Sequence, residues 1–135
     1  MQRTLLKSKL HQAKVTEADL TYEGSFSIDA EIMAACNIVE HEQVHVYNIT
    51  NGQRYVTYAI PAPSGSRIMR ANGACARLTA VGDRVIICTY VQLQEDQIGS
   101  FKPIVALLDE NNDYELPSLN LKLNNKQHLP INSIV

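Results

Sequence analysis

The sequence lacks an excess of charge of either sign, and it lacks long apolar runs. Its 135 residues carry 12 Lys and Arg against 14 Asp and Glu, a formal net charge of −2. This balance leaves no basic excess for a phosphate backbone or an anionic membrane, so nucleic acid is not an expected partner. The longest apolar stretches, residues 85–91 and 104–108, are far shorter than the roughly 20 residues that span a bilayer. No membrane partner is expected either.

Cysteine, glycine and proline are also scarce. The three cysteines, Cys36, Cys75 and Cys88, form no C-x-x-C pair, which is typical of reduced thiols that fill a core. With 6 Gly, 5 Pro and 45% hydrophobic residues, the chain is neither collagen-like nor of low complexity. Its first residues lack the continuous apolar segment of a secretion signal. One globular domain in the cytoplasm is therefore expected.

Strand signals dominate what is present. Residues 44–49 and 53–60 are rich in β-branched and aromatic side chains and flank Asn51-Gly52, a strong signal for a β-hairpin. Further strands are expected over residues 85–93 and 104–108. Residues 3–15 fit either a strand or a helix, and we favour the strand.

The remaining segments predict short helices and loops. Asp29 is expected to cap a short helix that ends near Asn37. Residues 61–70 and Asn72-Gly73 have the composition of a loop and a turn. Residues 94–99 fit a short polar helix or a loop. The segment after Pro117 lacks periodicity, which fits a frayed end or an arm on a neighbouring molecule.

The segment from His41 to His45 matches H-E-x-x-H, in which two histidines bind zinc and the glutamate acts as general base. That chemistry requires both histidines on one face of a helix. His45 begins a strand-rich segment, and residues four apart on a strand are separated by about 13 Å, too far to share one ion. We therefore expect no metal site and interpret these residues as an exposed turn.

Other candidate residues are ambiguous when taken singly. Arg54 and Tyr58 fall on the same face of the second hairpin strand, where they could clamp a carboxylate and donate a proton, or simply pack together on the surface. Gly24-Ser25 is by itself an ordinary turn. Residues 72–76 fit an anion-binding loop or a tight connection.

Taken together, several motifs resemble the aspartate 1-decarboxylase family over roughly the first 110 residues. These motifs are Lys9-Leu10-His11, Tyr22-Glu23-Gly24-Ser25, Thr50-Asn51-Gly52 with Arg54, Thr57-Tyr58-Ala59-Ile60, Gly65-Ser66-Arg67-Ile68 and Asn72-Gly73-Ala74. The resemblance implies a mainly β fold, a double-psi β-barrel with short helices. It also implies one domain over residues 1–116, a C-terminal tail over 117–135, and a homotetramer.

The resemblance further implies that the chain cleaves itself between Gly24 and Ser25 and converts Ser25 into a covalently bound pyruvoyl group. Such a group forms a Schiff base with L-aspartate and accepts the electrons released with carbon dioxide, a task that ordinary side chains cannot perform. The product is β-alanine, which feeds pantothenate synthesis. Cleavage is expected to be either spontaneous or assisted by an accessory maturation protein.

The family's functional positions map onto this sequence as follows. Tyr58 is implied as the proton donor, and Thr57 and Asn72 are implied to assist cleavage. The implied substrate-binding residues are Lys9, Arg54, Thr57, Gly73, Ala74 and Cys75, with His11, Tyr22 and Asn72 in supporting positions. The alternative is a non-enzymatic binding or assembly module, because double-psi barrels also occur without catalysis.

Overall fold

The computed structural model describes residues 1–117 and the backbone of residues 121–123. These residues contain ten strands: β1 (Gln2–Lys14), β2 (Glu17–Asp19), β3 (Phe26–Asp29), β4 (Gln43–Asn48), β5 (Arg54–Ala62), β6 (Met69–Asn72), β7 (Arg84–Gln94), β8 (Ile104–Leu108), β9 (Tyr114–Leu116) and β10 (Leu121–Leu123). The helices are α1 (Ala30–Ala35), α2 (Glu95–Ile98) and a 3₁₀ helix (Gly73–Arg77). The predicted mainly β class with short helices is confirmed.

The sheet closes into a barrel of six strands when β1 and β2 are counted as one strand. Closure follows because β1 pairs at one end of the strand order and β2 pairs at the other. The order is β1-β7-β4-β5-β3-β6-β2, with β3–β5 and β2–β6 parallel. The connection from β1 to β2 seals the barrel: Val15 N donates to Asp83 O at 2.9 Å, and Thr16 N donates to Met69 O at 2.8 Å. Strands β8, β9 and β10 extend the sheet beyond β1.

The barrel interior holds the core. Its largest fully buried side chains include Tyr114, Phe26, Leu10, Ile28, Ile32, Met69 and Ile87. Most come from strands of the barrel, and Ile32 comes from α1. Alternation along strands such as β4 and β5 sends every second side chain outward, so the barrel has a separate outer face.

Most local predictions are confirmed. Residues 3–15 form a strand, since β1 pairs with β7 on one side and with β8 on the other. The hairpin forms β4 and β5, and Gly52 at its turn has a φ of +79°. Helix α1 begins after Asp29, whose Oδ1 accepts from Glu31 N at 2.8 Å.

The predicted loop over residues 61–70 is wrong at both ends, because strands extend into it. Residues 61–70 were expected to lack regular structure, but β5 continues to Ala62 and β6 begins at Met69. Both extensions pair with β3, a contact between distant segments that local composition does not reveal. Strands β2 and β3 were not predicted, for the same reason. Strand β9, which pairs with the neighbouring β8, was not predicted either. The predicted boundary at residue 116 and the predicted tail stay predictions, because residues 118–120 and 124–135 lie outside the described residues.

A buried polar cluster joins the loop before β6 to α1 and β9. Asp29 accepts hydrogen bonds from the backbone nitrogens of Gly65 and Arg67 at 2.8 and 2.7 Å. The Arg67 guanidinium contacts Asp29, Glu31 and Asp113, each at 3.2 Å. This cluster fixes the start of β6, which leads directly to Asn72 and Gly73.

Candidate active site

The predicted cleavage site lies in the turn between β2 and β3. Asp19 Oδ1 accepts from the backbone nitrogen and the hydroxyl of Thr21, at 3.0 and 2.9 Å, and so begins the turn. These hydrogen bonds, the backbone one most strongly, lower the pKa of Asp19. After the turn, Tyr22 packs against the guanidinium of Arg70, with 4.9 Å from Cζ to the ring centroid. The side-chain contacts on both sides hold residues 22–25 against β6.

Gly24 occupies a position that only glycine fits without strain. Its φ is +94°, in the left-handed region, and a Cβ built there would lie 2.6 Å from Ile60 Cδ1. The chain therefore passes Ile60 at close range immediately before Ser25. A position that requires glycine, directly before Ser25, constrains the backbone at the candidate bond.

Asn72 holds the other side of the candidate bond. Its backbone nitrogen donates to Ser25 O at 2.8 Å, and its Nδ2 donates to Ser27 Oγ at 2.8 Å. Its Oδ1 is buried without a hydrogen-bond partner among the described residues. An unpaired buried acceptor costs free energy, so this oxygen is the atom of the site best suited to receive a donor from a bound molecule.

The 3₁₀ helix that begins at Gly73 approaches the same turn. Gly73 has a φ of +60°, and a Cβ built there would lie 3.5 Å from Tyr22 O and 3.9 Å from Gly24 O. The left-handed φ thus accounts for the second glycine of the site, because both distances are ordinary van der Waals contacts. Two separate stretches of the sequence meet at the Gly24 carbonyl.

These segments and β5 enclose a cleft of about 330 Å³. Its lining residues are Tyr22, Gly24, Ser25, Tyr55, Val56, Thr57, Tyr58, Asn72, Gly73, Ala74, Cys75 and Leu78. Burial raises the pKa of the Cys75 thiol, and a hydrogen bond with the Thr57 side chain opposes that rise. Cys75 is therefore a neutral thiol at neutral pH, and it contacts the hydroxyl that the family resemblance assigns to cleavage.

Tyr58 lines the cleft from β5, but its ring lies on the outer side of the strand. It is 40% exposed and meets the His41 ring edge-on, with 6.1 Å between centroids. Alternation along β5 puts Thr57 and Tyr58 on opposite faces. Of these two residues, Thr57 is therefore the one whose side chain turns toward Cys75.

Three further predicted residues lie outside the cleft. Lys9, His11 and Arg54 belong to the outer face of β1 and β5, where Lys9 pairs in register with Cys88 of β7 and Arg54 with Tyr47 of β4. Burial, and then the charges of Lys9 and Arg84, lower the pKa of His11. Within residues 1–117, neither Lys9 nor Arg54 has a carboxylate at ion-pair distance, so both cations are available to an anion.

The H-E-x-x-H segment has the geometry that the sequence suggested. His41 lies in a turn with a φ of +71°, and His45 lies in β4. Among the described residues, no group of three or more His, Cys, Asp or Glu side chains is arranged to hold a metal ion. In the same part of the chain, no helix is long and apolar enough to span a membrane.

Sequence reasoning missed three residues of this site. Ile60 packs against Gly24, Ser27 orients Asn72, and Tyr55 lines the cleft. Ile60 belongs to one of the motifs that carry the resemblance, and this membership was a signal that it contributes to the site. Ser27 and Tyr55 have no comparable signal.

Comparison with known proteins identifies the family of the chain. The family model described as aspartate decarboxylase matches residues 1–115. This chain belongs to the aspartate decarboxylase family. The predicted resemblance is therefore confirmed, and an enzyme family is favoured over a binding module.

Individual members of the family are similar over most of the chain. The aspartate 1-decarboxylase of Halorhodospira halophila is 53% identical over 112 residues, which cover 83% of this chain and 89% of the relative. That of Albidiferax ferrireducens is 44% identical over 131 residues, covering 97% and 91%. Among solved structures, a rationally designed protein, mkDPBB_sym_86, is similar at 18% identity and a TM-score of 0.43, covering 57% of this chain and 90% of its own.

Proposed function

We propose that this chain is the precursor of an enzyme that decarboxylates L-aspartate to β-alanine and carbon dioxide, using a pyruvoyl group made from Ser25. Membership in the aspartate decarboxylase family supports the reaction. The observation that carries the proposal is the Gly24–Ser25 bond itself. A left-handed glycine packed on Ile60 precedes a serine whose carbonyl is held by Asn72 N at 2.8 Å.

Cleavage starts with addition of Ser25 Oγ to the Gly24 carbonyl carbon. The C–N bond breaks, the amide nitrogen becomes a free amine, and an ester joins the two residues. Loss of the Ser25 Cα proton then expels the Gly24 carboxylate and leaves dehydroalanine. Hydrolysis of dehydroalanine releases ammonia and leaves a pyruvoyl group at the new terminus.

The surrounding residues suit this chemistry. The Gly73 backbone approaches Gly24 O, and the Thr57 hydroxyl lies across the cleft beside Cys75. Donors near the Gly24 carbonyl oxygen stabilise the negative charge that forms there when Ser25 attacks. The buried, unpaired Asn72 Oδ1 is suited to accept a hydrogen bond from an amine held in the cleft.

The pyruvoyl group supplies an electron sink for the electron pair released with carbon dioxide. The remaining tasks fall to side chains. Thr57 and the backbone of residues 73–75 line the space in which L-aspartate is held. The Tyr58 phenol returns a proton to the substrate Cα. Arg54 and Lys9 bind its carboxylates, since a guanidinium fork and a point charge suit an anion.

The residues with these roles lie on two separate surfaces of one barrel, and assembly into a homotetramer brings such surfaces together. Lys9 and Arg54 lie on the outer barrel face, whereas Ser25 and Thr57 lie in the cleft. We propose that one copy supplies the cleft and a neighbouring copy supplies the outer face, so that the substrate lies between them. Exposed Val56, Tyr58 and Tyr90 on the same outer face favour its burial against a partner.

The deciding experiment is intact mass of the purified protein after incubation alone and with host extract. We expect fragments of residues 1–24 and 25–135, the larger blocked to Edman degradation, and release of β-alanine from L-aspartate. Cleavage that requires extract identifies an accessory maturation protein. Ser25→Ala is expected to give one folded, inactive chain, while the control Ser100→Ala cleaves and functions normally. A cleaved, active Ser25→Ala protein contradicts the proposal.

A further inference from the structure

We propose that Tyr90 is a positioning residue for substrate binding, because it fixes Tyr47, on whose ring the Arg54 guanidinium rests. This inference rests on the proposed function, in which Arg54 binds a substrate carboxylate. It assigns a role to two hydroxyl groups outside the cleft that the sequence did not single out.

The first link is a hydrogen bond between strands. Tyr47 of β4 and Tyr90 of β7 are separated by 2.8 Å between their hydroxyl oxygens. In the antiparallel register of β4 and β7, Ile86 pairs with Tyr47 and Cys88 pairs with His45. Tyr47 and Tyr90 therefore lie on opposite sides of the His45–Cys88 pair. The two phenols therefore reach toward each other across His45, whose ring meets that of Tyr90 edge-on at 4.9 Å.

The second link joins Tyr47 to Arg54. These residues are direct partners in the register of β4 and β5, and Arg54 Cζ lies 4.1 Å from the centroid of the Tyr47 ring. This distance is within the range of a cation–π contact, which favours one orientation of the guanidinium. Arg54 is otherwise an exposed, flexible side chain. Its direction thus depends on where the Tyr47 ring is held.

Cys88, two residues before Tyr90 on β7, is a further neighbour of the Tyr90 side chain. The phenol lies near the Cys88 thiol, and the charges of Lys9 and Arg54 act on the same thiol. The bond with Tyr47, together with partial burial, raises the pKa of Tyr90. The hydroxyl therefore keeps its proton at neutral pH and can maintain its hydrogen bond with Tyr47 throughout the physiological range.

This chain of contacts acts on binding rather than on chemistry. A guanidinium held in its binding orientation loses less side-chain entropy when a carboxylate arrives. Neither tyrosine hydroxyl lines the cleft beside Ser25 and Thr57. Loss of the Tyr90 hydroxyl should therefore weaken binding of the substrate without altering cleavage or the catalytic step.

The test compares wild type with Tyr90→Phe, which removes one hydroxyl and keeps the ring. We expect complete cleavage, a kcat within twofold of wild type, and a KM for L-aspartate raised about three- to tenfold, the scale of one hydrogen bond. Succinate, a dicarboxylate without an amine, should lose affinity by a similar factor in calorimetric titration. Tyr47→Phe should match Tyr90→Phe, and the double variant should add little.

Thr89→Val is the matched control. Thr89 is adjacent to Tyr90 on β7, and its hydroxyl bonds to Ser8 inside the barrel. This variant should lose stability but keep the wild-type KM and succinate affinity. If Tyr90→Phe has an unchanged KM while Arg54→Ala raises it, the inference is wrong and the proposed function stands. A wild-type protein without decarboxylase activity overturns the proposed function instead.

Discussion

Arg67 Nη1 lies 3.2 Å from Glu31 Oε2, and both side chains are almost wholly buried. The same guanidinium contacts Asp29 and Asp113, so one cation serves three carboxylates. Tyr114 adds a hydrogen bond to Glu31 Oε2 at 2.6 Å. This cluster ties together α1, β9 and the loop before β6, and it sets the position at which β6 reaches Asn72.

Removing the cation should strongly destabilise the fold. Arg67→Met leaves Asp29 and Glu31 buried without their charge partner, and breaking a buried ion pair on one side costs about 3–5 kcal/mol. Urea unfolding at equal protein concentration would measure this loss. Arg3→Ala is the control, since Arg3 pairs with Glu95 on the exposed surface and should cost less than about 1 kcal/mol. Equal losses in the two variants would contradict a central role for Arg67.

Stability should fall in alkaline solution, in part through Cys36. Burial raises the pKa of Cys36 from 9.0 to about 12. The unfolded chain thus loses this proton at a lower pH than the folded chain, and ionisation favours unfolding between pH 9 and 12. The stability gap between wild type and Cys36→Ala should therefore narrow as the pH rises from 8 to 10.5 in denaturant titrations. A constant gap would show that Cys36 titrates alike in both states.

Gly24 and Gly82 offer a matched pair for testing strain at the cleavage site. Their φ values are +94° and +92°, but a Cβ at Gly82 would meet no atom within 4 Å. Each change to alanine should cost about 1–2 kcal/mol through the left-handed backbone. Only Gly24→Ala should also slow cleavage on gels, because its Cβ meets Ile60 Cδ1. Adding Ile60→Val to Gly24→Ala should restore part of the cleavage rate. Equal cleavage rates in all variants would show that the contact between Gly24 and Ile60 does not affect cleavage.

Tyr58→Phe separates cleavage from catalysis. The variant keeps the ring beside His41 and loses only the hydroxyl. We expect normal cleavage and normal trapping of L-aspartate by borohydride, with turnover reduced by at least about 100-fold, the scale of general acid catalysis. Turnover equal to wild type would assign the proton donor to another group.

Local signals explain how much of the fold was predictable. Asn51-Gly52 specifies its hairpin within a few residues, and Asp29 caps α1 by itself. Strands β2 and β3 have only three and four residues, and they pair with β5 and β6 much later in the chain. All four residues of β3 are buried, so no alternation marks it as a strand.

The candidate site was predictable only through motifs. No spacing rule brings Gly24 beside Gly73, and the family resemblance alone joined them. To place Lys9 and Arg54 on the outer face, one has to know the register of β1, β7, β4 and β5. The sequence alone does not specify that register. Periodicity did predict that Arg54 and Tyr58 share a face, and the register agrees.

The closure of the barrel by β1 and β2 has a consequence for the mature protein. Both strands precede Gly24, and β1 pairs with β7 and β8 while β2 pairs with β6. If the bond after Gly24 is cut as proposed, each barrel becomes a non-covalent complex of two chains. Each precursor barrel forms in a first-order process before any assembly, but each barrel of the denatured mature protein has to regain its first 24 residues by a bimolecular encounter. Its refolding should slow on dilution, whereas refolding of the Ser25→Ala barrel should not.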